Sequence, residues 1–245
     1  MGYVDIFKKK TTPFMPDHDD VDTFSLDIGP AEIEHLPVVS GVLYDNCTEA
    51  DWVLANGKVV STTNKGHVPG QTRIRELATI TANGNNVSST WAELGVELGR
   101  SAFFLSTYLP KDGKFFLFDS FEGLPEDWVV SDKRTRPKEI WACATPTFED
   151  PRLIVVEGWF EDTLPHAAMT GPLGLLHIDS DLYSSAKTIL ERLNDQIVPG
   201  TVILFDELWG YPNWAEGEYK ALMEWGREFT YIARDTKFRV LIEMK

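Results

Sequence analysis

"GLLHIDSDLYSSAKTILERLNDQIVPGTVILFDE", residues 174–207, holds two apolar runs, each of which ends in a pair of acids. The first run enters Asp179 and Asp181, a helical pattern begins at Ser184, and the second run ends in Asp206 and Glu207. Short apolar runs separated by a helix read as parallel strands joined by a crossover. The acids therefore stand at strand ends. Two carboxylates about 4 Å apart repel by roughly 4 kcal/mol at an effective dielectric of about 20, unless a cation, a proton or a donor compensates them. From Asp179 to Asp206 is 27 residues (206 − 179), one helix plus one strand, so the two strand ends are expected to be neighbours. Three or four carboxylates then converge, and oxygen ligands without cysteine suit Mg²⁺, Mn²⁺ or Ca²⁺ rather than zinc.

The same rhythm extends in both directions. Upstream, "TWAEL" (90–94) reads as a strand, 99–109 as a helix, "KFFLF" (114–118) as a strand, 119–139 as a long loop, "RLIVVEG" (152–158) as a strand and 160–169 as a short helix. Downstream, a helix is expected over 215–229, followed by "TYIAR" and "FRVLIEM". The short turn around Lys237 between these last two runs permits only an antiparallel hairpin. The expected fold class is thus α/β: a doubly wound, mostly parallel seven-stranded sheet with an antiparallel C-terminal strand. Residues 1–40 read as an irregular arm or an oligomer contact. Helix-compatible pieces at Ala50–Ala55 and Thr72–Ala82 are divided by "TTNKGHVPG" and closed by "NGNN". The division expected is residues 1–87 as an arm and covering region and 88–245 as the sheet-bearing core, within one compact domain.

Twenty-three Lys and Arg against 38 Asp and Glu give a formal charge of −15, which argues against a phosphate-rich nucleic-acid partner. No apolar stretch approaches the roughly 20 residues of a membrane span, and no secretory segment is evident. With only Cys47 and Cys143, unrelated in spacing, a disulfide framework is not expected and a reducing cytoplasm fits.

In open α/β sheets ligands bind beyond the carboxyl ends of the strands. The first such end, "ELGVELGRS", offers Glu93 and a turn with Gly95 and Gly99, although a strict G-x-G-x-x-G is absent and two glycines at a turn are often structural. The second ends in Asp119, the position from which a carboxylate can accept two hydrogen bonds from a ribose diol, or can simply cap a loop. At the third, Glu157 and Gly158 could border an adenine, with Trp159 or Phe160 packed on it or buried in the core. His177, on the same strand face as Asp179, reads as a hydrogen-bonded core histidine or a catalytic one.

Together, "AELGVELGRSA", "FLFDSFEGLPE", "VVEGWFEDTLP", "LLHIDSDLYSSAKTILERL" and "VPGTVILFDE" resemble the macrocin O-methyltransferase-like family. These are S-adenosylmethionine-dependent enzymes that methylate sugar hydroxyls of natural products. The resemblance implies a Rossmann-like methyltransferase fold, S-adenosylmethionine as cofactor, and a divalent cation, usually Mg²⁺, beside the acceptor hydroxyl. It implies cofactor contacts at Glu93, Gly95, Ser101, Asp119, Ser120, Glu157, Gly158, Trp159 and Asp179. The metal would be held by Asp179, Asp206 and Glu207, with Asp179 also the general base. The family usually has Asp-Asp-Tyr after the fifth strand, where this chain has Asp206-Glu207-Leu208; Glu still supplies a hard oxygen but displaces it by a methylene. A sugar-containing small-molecule acceptor and a homo-oligomer are the partners expected. A D-x-D glycosyltransferase using Asp179 and Asp181, or a non-catalytic binding protein on this fold, are the alternatives.

Overall fold

A computed structural model describes residues 31–36, 50–53, 59–62, 73–235 and 237–245. Of the expected arm only residues 31–36 are described, and there Ile33 and Leu36 pack in the core; residues 41–49, 54–58 and 63–72 of the expected covering region lie outside the described residues. Before the sheet come α1 (Ala31–Glu34), the antiparallel pair β1 (Ala50–Val53) and β2 (Val59–Thr62), and α2 (Arg73–Asn85). There follow β3 (Thr90–Leu94), α3 (Arg100–Ser106), β4 (Lys114–Asp119), a small hairpin of β5 (Trp128–Ser131) and β6 (Arg134–Arg136), and β7 (Leu153–Glu157). The chain continues through α4 (Phe160–Thr163), β8 (Leu175–Ile178), α5 (Tyr183–Arg192), β9 (Val202–Phe205), α6 (Glu218–Trp225), β10 (Phe229–Arg234) and β11 (Val240–Met244).

The seven-stranded sheet runs β7-β4-β3-β8-β9-β11-β10. β11 is antiparallel to both its neighbours, and the remaining pairings are parallel. The order reverses between β3 and β8, which opens a crevice at their carboxyl ends. Alternate residues of each strand point to opposite faces, and both faces are covered, so the strands read as nearly continuous apolar runs. Trp91, Phe115, Leu117, Leu175, Val202 and Leu204 pack with Ile74, Leu77 and Ala78 of α2 and with Phe104 and Leu105 of α3. On the other face Leu94, Phe116, Phe118, Ile178 and Phe205 pack with Ile189 and Leu190 of α5 and Leu222 of α6. Each such side chain contributes about 1.5–3 kcal/mol when fully buried.

Four local expectations need correction. Ala50–Val53 is strand, paired with Val59–Thr62, rather than helix; Asn56-Gly57 between runs rich in β-branched residues is a hairpin signal that outweighs the Ala and Leu around it. The stretch 119–139 is not loop throughout, since it contains β5, β6 and the start of a 3-10 helix, Lys138–Trp141. α2 runs on to Asn85 because Asn83 and Asn85 donate outside the helix, to the carbonyls of Tyr108 and Gly200. The helix expected over 215–229 stops at Trp225, where Gly226 adopts φ +71°, and Phe229 begins β10.

Candidate active site

The β3–α3 turn is shaped by positive φ at Gly95, Glu97 and Gly99 and tied to the next strand by Asp119. The Asp119 carboxylate accepts from the backbone N–H groups of Val96 at 2.7 Å and Glu97 at 2.9 Å through Oδ2, and of Phe121 at 2.8 Å through Oδ1. This acid, expected to hold a ribose, therefore also fixes the turn. Its neighbour Ser120 accepts from the Glu122 N–H and donates to the Gly123 carbonyl. On β7, Glu157 is exposed and accepts from Thr145 Oγ1 at 2.8 Å, while the Gly158 N–H donates to the Asp119 carbonyl. Trp159 is half-buried at the start of α4. These ends of β4 and β7 are in register, Asp119 opposite Glu157, so the two strand-end acids are neighbours.

Beneath the turn is a buried polar chain. Ser101 Oγ donates to Glu93 Oε1, which lies 3.0 Å from His177 Nδ1, and His177 Nε2 lies 3.2 Å from Asp206 Oδ1. Glu93 and His177 are fully buried. An imidazole facing a carboxylate through each nitrogen donates twice only as imidazolium. Despite the burial that opposes its charge, hydrogen bonds from Asp206 and Glu93 raise its pKa to about 9. His177 is thus a core histidine whose two nitrogens are committed, although His177, Asp179 and Asp206 present atoms within 4.8 Å of one another.

Asp206 Oδ1 carries two further partners, Arg75 Nη2 at 2.8 Å and Arg239 Nε at 2.8 Å, and Arg239 Nη1 also pairs with Asp235 at 3.1 Å. Although burial pushes its pKa upward, the Arg239 and Arg75 charges and the His177 bond hold Asp206 well below the usual carboxylate range. The other acids have weaker support. Burial and the Asp206 charge push Asp179 well up, and burial with Asp206, Asp179, Asp181 and Glu218 around it does the same to Glu207. Asp181, at φ +60°, and Glu218 are each raised to about 8, chiefly by burial. Glu218 accepts from the Ser180 N–H and hydroxyl and from the Glu207 N–H, whereas Glu207 Oε2 is buried with no hydrogen-bond partner. The side chain of Asp179 is 30% exposed against 5% for Asp206, so it is the carboxylate open to an incoming group.

The structure brings atoms of Asp179, Asp206 and His177 within 4.8 Å of one another; Glu207 lies outside that group although it feels the charges of both aspartates, and Ser101, Glu93 and His177 form a hydrogen-bonded chain to Asp206. Arg75, Arg239 and Glu218 were not foreseen. Their signal is faint: an arginine inside an otherwise apolar helical stretch, "RIRELATI", requires a buried acid partner. Glu218 follows Gly217, but nothing in the sequence near it marks it as buried.

Residues 62–225 match the family model described as macrocin-O-methyltransferase (TylF). Among curated proteins, an 8-demethyl-8-(2,3-dimethoxy-α-L-rhamnosyl)-tetracenomycin-C 4′-O-methyltransferase of Streptomyces olivaceus is 34% identical over 150 residues, covering 54% of this chain and 56% of the relative. Demethyldecarbamoylnovobiocin O-methyltransferase of Streptomyces niveus is 28% identical over 173 residues, covering 62% of this chain and 66% of the relative. The chain therefore spans between about half and two thirds of the length of these relatives. Of solved structures, the O-methyltransferase NovP aligns with a TM-score of 0.56 at 23% identity, over 72% of this chain and 84% of that one. The calicheamicin methyltransferase CalS11 gives 0.53 at 20% identity, over 70% and 80%. Both are likenesses of fold. With the family model covering residues 62–225, about two thirds of the chain, the chain belongs to the macrocin O-methyltransferase (TylF) family.

Proposed function

We propose that this protein is an S-adenosylmethionine-dependent O-methyltransferase acting on a hydroxyl of a sugar-containing small molecule, with a divalent cation at its acidic strand ends. The observation that carries this reading is that Gly95 packs on the backbone of Asp179. The turn suited to a nucleoside and the one open carboxylate of the acid group thereby share a wall. The names of the two curated relatives, one acting on a rhamnosyl group, support the acceptor class.

The acids fit a hard cation. Glu207 Oε2 is buried without a partner, and burial together with repulsion from Asp206 raises both Asp179 and Glu207. Asp179, Asp206 and Glu207 would hold the ion, which when bound lowers the pKa of an adjacent hydroxyl and stabilises its alkoxide. Asp119 and the Gly95–Gly99 turn would hold the ribose and position the sulfonium over the acceptor. Asp179 would accept the hydroxyl proton, and S-adenosylmethionine, when bound, would supply the methyl group, the new O–C bond replacing the C–S bond with S-adenosylhomocysteine as the leaving group. His177, held on both sides, keeps Asp206 in place.

Calorimetric titration tests the assignment. Binding of S-adenosylmethionine, strengthened or unaffected by Mg²⁺, is the expected result; binding of nucleotide sugars with none of S-adenosylmethionine would favour a glycosyltransferase instead.

A further inference from the structure

Arg75 is the one charge of α2 that reaches the strand-end acids. Its helical neighbours Ile74, Leu77, Ala78 and Ala82 are core residues, and Arg73 pairs with Glu76, which also accepts from the Tyr108 hydroxyl. Arg75 Nη2 lies 2.8 Å from Asp206 Oδ1 and 3.6 Å from Asp179 Oδ2, with the residue only 7% exposed. Asp206 is already served on the same oxygen by Arg239 and His177. Asp179 has no other ion pair among the described residues. The guanidinium therefore stands between the two carboxylates, paired closely with Asp206 and at longer range with Asp179, whose other nearby cation is His177. It touches both acids that a cation would bridge, and like charges a few ångströms apart in a buried setting repel strongly.

We propose that Arg75 is a built-in counter-cation of the metal site: a positioning residue that holds Asp179 against Asp206 before the ion arrives and sets how weakly the ion is then held. This rests on the metal reading above. Without metal, the guanidinium offsets the repulsion between the two carboxylates and keeps Asp179 at the mouth of the crevice. With metal, it opposes the ion. Metal affinity then depends on α2, through Arg75, as well as on the ligands themselves.

The test uses the full chain and Mn²⁺ alone, with free Mn²⁺ followed by electron paramagnetic resonance and unfolding followed with and without chelator. Arg75→Met should bind Mn²⁺ about tenfold or more tighter than the wild type, the size expected when a contacting like charge is removed. In chelator it should unfold at a lower temperature, and Mn²⁺ should recover more of its stability than in the wild type. Arg75→Lys, which keeps the charge, should stay near wild-type affinity. If Arg75→Met cannot be recovered folded, Arg75→Gln gives the same comparison with hydrogen bonding retained. Equal or weaker Mn²⁺ binding by the uncharged variant, or tightening by Arg75→Lys as large as by Arg75→Met, overturns the proposal and leaves the metal site standing. Absence of Mn²⁺ binding in every form overturns the metal site itself, and this proposal with it.

Discussion

Gly95 and Asp179 touch through their backbones: a β-carbon on Gly95 would lie 1.7 Å from the Asp179 carbonyl oxygen, and Gly95 itself has φ +95°. No side chain fits there without parting β3 from β8. Gly95→Ala should therefore destabilise by more than about 3 kcal/mol, which for a chain of this size lowers the melting temperature by roughly 6–12 °C. Gly171→Ala is the control, with φ +78° and no atom within 4 Å of the added carbon. It should cost only about 1–2 kcal/mol, the backbone strain alone. Equal losses in the two variants would show that the Gly95 contact does not matter.

Asp179 and Asp206 should separate by what their loss does. Asp206→Asn leaves Arg75, Arg239 and His177 without their shared charge, a buried imbalance worth about 3–5 kcal/mol. Asp179→Asn disturbs one longer ion pair on a partly exposed side chain, so it should fold nearly as stably while methyl transfer falls by about 10²–10⁴-fold, the range for loss of a general base. Thermal melts and turnover measured on both variants check the split. The opposite pattern, with Asp179 the more damaging to stability, would assign the base elsewhere.

Asp119→Ala should weaken S-adenosylmethionine and loosen its turn together. Three backbone N–H groups lose their acceptor, at about 1–3 kcal/mol for each that is left buried and unpaired. Hydrogen exchange at Val96 and Glu97 should rise in the absence of any ligand. Calorimetry should show a loss of cofactor affinity; unchanged affinity alongside faster exchange would limit Asp119 to the structural role.

The metal-free protein should be more stable at pH 6 than at pH 9. His177 is raised to about 9 in the fold, so its contribution is complete below its ordinary value near 6.5 and disappears as pH climbs through 9. Asp181 and Glu218, raised to about 8, likewise keep protons in the fold that the unfolded chain gives up near pH 4, so the fold loses ground as pH rises from about 4 to 8. Asp206, held well below its ordinary value, acts in the other direction but only in strong acid. Melting temperatures at the two pH values, taken in chelator and again with Mg²⁺, check both parts. Mg²⁺ should help more at pH 9, where the carboxylates are ionised.

Where the chain must satisfy a repeating pattern, the sequence is easily read. β3, β4, β8 and β9 are apolar runs because both sheet faces are covered, and the acids that end them break those runs plainly. The small hairpins are less legible. β5 contributes Trp128 and Val130 to the core, but β6 is "RTR", whose polarity hides it. Least legible is the pairing of charges across the fold. Arg75 and Asp206 are 131 positions apart, and no local pattern connects them. Their meeting depends on α2 lying against β9, a matter of tertiary packing rather than of propensity.

The place of β11 in the sheet bears on how the protein is made. This strand pairs with β9 on one side and β10 on the other, and its final residue joins Met244 to Gly200 and Thr201 through two backbone hydrogen bonds. A ribosome delivers every other strand of the sheet before it. Until residues 240–244 emerge, β9 presents a row of unpaired amides and carbonyls along the edge that carries Asp206, and β10 has no neighbour in the sheet to dock on. The nascent chain is thus open to strand capture by another copy until residues 240–244 arrive. Deletion of β11 should yield aggregates rather than a folded protein with one strand fewer.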